Sequence, residues 1–100
     1  MAALTIVYWR DIPAQVIAKE GRMAEKIQLP ERFQVAIDQA AMRGAARDSD
    51  AYLAEWRRGD PEPCGDDLAA AAAEAAVRIE TEYGDERLRG LVRAGGKAEA

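Results

Sequence analysis

The sequence predicts an α+β fold: a small antiparallel sheet of two to three strands at the N-terminus, packed against two to three helices. Two observations carry this. Residues 4–29 hold three short strand-like runs divided by turn residues, the first of them β-branched and aromatic, and consecutive strands on short connections pair as a meander. From Pro30 onward the apolar residues recur at helical spacing instead.

"LTIVYW" opens the chain, with Leu4, Ile6 and Tyr8 on one face and Thr5, Val7 and Trp9 on the other. Both faces are largely apolar, so this strand should be central or covered on both sides. "DIP" is expected to turn the chain, because proline fixes φ and removes a donor. "AQVIAKEG" gives a second strand ended by Gly21. "AEKIQLP" gives a third, with Ile27 and Leu29 on one face and Lys26 and Gln28 on the other. Pro30 suits a first helical position, and Phe33, Ala36, Ile37, Ala40 and Ala41 then mark one apolar stripe, with Gly44 as its stop. Asp48 or Ser49 is placed to cap a second helix, with Tyr52, Leu53 and Trp56 as its buried face and Arg57, Arg58 and Gly59 closing it. "GDPEPCG" reads as a linker. Asp66 or Asp67 then caps a third helix, whose inner face is Leu68, Ala72, Ala75, Ala76 and Ile79. "DERLRGLVR" reads as a short fourth helix with Leu88, Leu91 and Val92 on one side.

The division expected is an α+β core over 1–60, an acidic helical extension over 61–93 and a disordered tail over 94–100. Charge supports the break. Residues 1–58 carry nine Lys/Arg and eight Asp/Glu, whereas 59–100 carry five and ten. All six aromatic residues precede residue 84, which places the expected core there too. The net charge of −4 is a poor platform for nucleic acid, whose phosphates are neutralised by Lys and Arg. Cys64 is the single cysteine, which excludes an intrachain disulfide and fits a reducing compartment. The N-terminus lacks the pattern of a signal peptide, and no apolar run reaches the roughly 20 residues that span a membrane. A cytoplasmic location is expected.

The chain holds no histidine, which removes histidine-dependent triads and histidine metal sites. No phosphate-cradling glycine loop occurs. Cys64 stands before a helix start, but Glu62, Asp66 and Asp67 oppose a thiolate, so it reads as a surface thiol. The Asp66–Asp67 pair is explained by its helix start without a metal. Glu74, Glu80 and Glu82 read as a solvated face, and Arg43, Arg47, Arg57 and Arg58 as a basic surface cluster. No catalytic, cofactor-binding or metal-binding residue is expected. In "WRDIPAQ", Trp9 reads as core or as a partner-facing aromatic, and Asp11 as a turn residue. The exposed side of this stretch (Trp9, Arg10, Asp11 and Gln15) is the candidate partner-binding surface, together with whatever face of the third helix stays uncovered.

The runs "VYWRDIPAQVIAKEGR", "LPERFQVAIDQAAM" and "YLAEWRR" resemble the bacterial virulence factor domain family over residues 4–60. The domain also occurs in the larger conserved virulence factor C proteins, joined there to helical repeats. The family name records a phenotype and implies no catalytic residues. Stand-alone members look similar to small proteins encoded beside folate- and corrinoid-dependent one-carbon enzymes, which implies an accessory role. The function expected is therefore a non-catalytic adaptor that binds another protein, such as a one-carbon enzyme. The alternative rests on residues 26–56, whose order of strand, Leu-Pro, helix, turn and capped helix looks like a ribbon-helix-helix DNA-binding module. Lys26 and Gln28 would then face the bases.

Overall fold

The computed structural model describes residues 2–43 and 49–97, and within them the α+β class holds. The elements run β1 (Ala3–Trp9), β2 (Ile12–Glu20), β3 (Met23–Gln28), α1 (Glu31–Arg43), α2 (Ser49–Ala54), β4 (Trp56–Arg58), β5 (Glu62–Pro63), α3 (Leu68–Glu82) and α4 (Asp85–Arg93). All strand pairs are antiparallel, in the order β3-β2-β1-β4, with β5 also on β1. The sheet thus has more strands than the two or three expected, and β1 is central as read.

The first turn is made differently from the sequence expectation. Trp9 pairs with Ile12, so the tip is Arg10–Asp11, and Arg10 takes φ +54°. Pro13 is not the turn; it is a buried strand residue paired with Tyr8. It is tolerated there because β3 reaches only to Gln15, so its missing donor costs that pairing nothing. Register slips between Val7 and Tyr8, leaving Ala14 as the extra residue of β2. The Ala14 carbonyl accepts from the Leu29 amide at 3.0 Å, which aims the chain into α1.

Register sorts the sheet residues onto two faces. Leu4, Ile6, Val16, Ala18 and Ile27 share one, and α1 and α3 pack on it. Thr5, Val7, Gln15, Ile17, Lys19, Lys26 and Gln28 share the other, with Arg58 at its β4 margin. Ile17 is buried but stands outside the main core cluster.

The stripes of α1 and α3 bury the residues their periodicity names. Asp67 is the α3 cap, accepting from the Ala70 amide at 3.1 Å. The second helix departs from expectation. It ends at Ala54, Leu53 is 63% exposed, and Trp56–Arg58 form a strand on β1. The β1 edge otherwise carries unpaired backbone groups, and pairing there outweighs helix continuation. The expected stop at Gly44, the cap at Asp48 and Arg47 of the basic cluster lie outside the described residues, as does the Ser49 side chain. Part of the expected linker is the β5 edge, where Glu62 and Pro63 lie against Leu4 and Ala3.

The core is not confined to the chain before residue 84. Leu68, Ala72, Ala75, Ala76, Ile79, Leu88 and Leu91 join Trp9, Ile12, Val16, Phe33 and Ile37 in one cluster. Gly95 and Gly96 are buried as well, while residues 98–100 lie outside the described residues. Cys64 is half-buried against the core rather than fully on the surface.

Candidate functional site

The four residues singled out in the sequence do not share one surface. Trp9 is 0% exposed. Its indole N–H donates to the Tyr52 carbonyl at 2.9 Å, and its ring stacks on Tyr52 with centroids 5.7 Å apart. It is therefore core, which explains why an aromatic at the end of a strand is spared from water. Arg10 turns inward too, with its side chain 12% exposed. The guanidinium lies 4.9 Å from the Trp9 ring centroid and donates to the Gly95 carbonyl at 2.7 Å and to Glu55 Oε1 at 3.4 Å. Its Nε is buried without a hydrogen-bond partner among the described residues. Backbone bonds complete the closure: the Arg10 amide donates to the Glu55 carbonyl and the Asp11 amide to the Gly96 carbonyl. Gln15 lies apart, half-buried on the sheet face away from α1 and α3.

Asp11 leads elsewhere. With Leu4, Ile6, Tyr8, Arg57, Gly59, Asp60, Glu62 and Tyr83 it lines a hollow of about 400 Å³ between β1, β4 and the end of α3. Leu4 is buried and Ile6 half-buried, which makes them the floor. Tyr8 and Tyr83 are half-buried walls, and Asp60 and Glu62 are exposed at the rim. Arg57 crosses the margin. Its guanidinium contacts Asp11 Oδ1 at 3.0 Å, its Nε donates to the Arg10 carbonyl, and it lies 4.6 Å from the Tyr8 ring centroid. Asp60 and Glu62 form no ion pair among the described residues.

The walls are held by neighbouring elements. The Gly59 amide donates to the Ile6 carbonyl at 2.8 Å, and a Cβ at Gly59 would stand 3.3 Å from that oxygen. Arg32 of α1 donates to the Tyr83 and Glu80 carbonyls, where a cation meets the negative end of the α3 dipole. The Phe33 ring lies 6.3 Å from the Tyr83 ring, and Arg87 lies 4.0 Å from its centroid on the ring face. Burial raises the Tyr8 phenol above its ordinary value of 10.0, helped by Tyr83, Glu62 and Asp11 and opposed by Arg57. The Tyr8 phenol therefore stays neutral, a donor and acceptor facing the hollow. No group of three or more potential ligands among the described residues is placed to hold a metal ion.

The sequence reading missed Tyr8, Tyr83, Asp60 and Glu62 as parts of a shared site. A signal existed for Tyr8, which shares strand parity with Leu4 and Ile6. Asp60 and Glu62 sit in a proline-rich stretch whose pairing to β1 has no local signature.

The family model described as virulence factor matches residues 7–92. The chain belongs to that family, and the match runs through α3 and α4 rather than ending near residue 60 as the quoted motifs suggest. No curated protein and no solved structure matches the chain. No helix among the described residues is long and apolar enough to cross a membrane.

Proposed function

For this member of the virulence factor family we propose a non-catalytic accessory role, in which the chain binds another protein in the cytoplasm. One observation carries the reading. Two carboxylates without ion-pair partners among the described residues, Asp60 and Glu62, stand at the mouth of a hollow walled by two tyrosines. Convergent polar and aromatic groups at an accessible rim are features of recognition surfaces. The hairpin tip contributes through Asp11, while Trp9 and Arg10 support it from within. The likeness of stand-alone family members to small proteins encoded beside one-carbon enzymes makes a folate- or corrinoid-dependent methyltransferase or reductase the partner of choice. Affinity purification from the native host, followed by mass spectrometry, tests this. A partner should be retained by the wild type and released by the D60N/E62Q double variant. Retention of no partner by the wild type overturns the reading, and a partner outside one-carbon metabolism overturns only that part of it.

A second reading, a ribbon-helix-helix-like DNA-binding regulator, is favoured by one different observation. Lys19 and Lys26 share the open sheet face with Gln15 and Gln28, Arg58 stands at its margin, and register places no acid in that row. Lys and Gln can contact phosphates and base edges. Against it, β3 pairs within the chain to β2, so only its outer edge is free for a second copy. A gel shift that weakens steeply as salt rises, and that K26A reduces, would support this reading. Absence of any shift at low salt ends it.

A further inference from the structure

We propose that the hollow between β1, β4 and Tyr83 takes a lysine side chain of the partner protein. The inference rests on the binding reading above and specifies what is recognised. The lining selects for charge. Among the described lining residues Asp11, Asp60 and Glu62 stand against one cation, Arg57, which Asp11 already neutralises at 3.0 Å, while Arg87 lies behind the wall on the Tyr83 ring. Asp60 and Glu62 remain uncompensated, so an anion is repelled and a cation attracted.

The lining also selects for shape. Leu4 and Ile6 offer an apolar floor to a methylene stem, and Tyr8 and Tyr83 add ring surface and hydroxyl oxygens. Such a surface suits a chain that is apolar along its length and charged at its tip. An ammonium carries three donors and no acceptor, and it meets phenol and carboxylate oxygens here. A guanidinium binds best with an aromatic face to lie on. Arg57 already occupies a face of Tyr8, and Arg87 a face of Tyr83. Lysine is therefore the better fit.

The source follows from the openness of the rim. Sites that hold free small molecules enclose most of the ligand surface. Asp60 and Glu62 are exposed, so the ligand must bring further contact surface of its own, as a side chain on a folded partner does.

The test uses the full chain, isotope-labelled, with amide shifts followed by NMR. The probes are acetyl-Gly-Lys-Gly-amide, the same peptide with norleucine, arginine or acetyl-lysine at the centre, and free n-butylammonium. The lysine peptide should move the amides of Gly59, Glu62 and Tyr83 saturably, and the norleucine and acetyl-lysine peptides should not. D60N/E62Q should bind the lysine peptide about fivefold more weakly, since two exposed charge contacts are lost. Both variant sites are on the surface, so an unchanged thermal midpoint shows that the fold is intact. No saturable shift, or equal shifts with norleucine, overturns the proposal. Equal or tighter binding of the arginine peptide overturns the choice of cation, and equal binding of n-butylammonium overturns the partner as its source. If the lysine peptide fails while a host protein still co-purifies, the lysine assignment falls and the binding reading stands. If the peptide binds but nothing co-purifies, the binding reading falls.

Discussion

The hairpin tip and the hollow beside it are built from neighbouring residues of one strand pair, yet they treat polar groups in opposite ways. At the tip, Trp9 and Arg10 are drawn inward, and the Trp9 indole, the Arg10 guanidinium and both turn amides bond to distant carbonyls. In the hollow, the Asp60 and Glu62 carboxylates have no ion-pair partner among the described residues. The tip spends its hydrogen-bonding capacity on closing the fold, and the hollow keeps some available. Strand alternation separates the two side chains: Tyr8 keeps the parity of Leu4 and Ile6 and lines the hollow, while Trp9, one residue on, points to the other side and is buried under Tyr52.

That contrast can be broken most severely at Trp9. Truncation in W9A opens a cavity in the core and strips the Tyr52 carbonyl of its donor, and should cost about 3–5 kcal/mol in chemical denaturation. G96A attacks the same enclosure from the other side. Gly96 has φ +93°, and a Cβ there would stand 2.8 Å from Trp9 Cζ3, so a loss of about 2 kcal/mol is expected by the same measurement. R32A tests the support of the hollow. It leaves the Glu80 and Tyr83 carbonyls without their cationic donor, and should cost about 1.5 kcal/mol while weakening lysine-peptide binding. The smallest effect is at Tyr8. Its phenol is raised in the folded state, so the stability it contributes is complete below the unfolded-state value near 10.0 and is lost as pH rises through the folded-state value. Denaturation midpoints should therefore fall in that alkaline range, and Y8F should flatten the decline.

Periodicity made much of this architecture readable. The α1 and α3 stripes name the residues that are buried, because an amphipathic face needs only local spacing to show itself. The inward Ile27 and outward Lys26 and Gln28 of β3 were readable for the same reason. What escaped was set by distant partners. Trp56 carries helical spacing with Tyr52, but the unpaired edge of β1 recruits it into a strand. Pro13 looks like the turn because proline so often is one, whereas Arg10 takes the positive φ and is held there by Glu55 and Gly95. The hollow was the least legible part. Asp11 was read as a turn former, and Asp60 and Glu62 as linker residues, because only the pairing of β4, Gly59 and β5 along β1 brings them beside Tyr8 and Tyr83.

The bond from Arg10 to the Gly95 carbonyl joins residues 85 positions apart. A nascent chain can form the first hairpin as soon as residue 20 has emerged from the ribosome, but it has nothing to lay over the Trp9 indole until residues 52–56 arrive, and no latch for Arg10 until residue 95 is made. This hairpin is thus made well before the segments that shelter it, and contacts of this separation form slowly. In the interval the exposed hairpin is the segment a chaperone would hold.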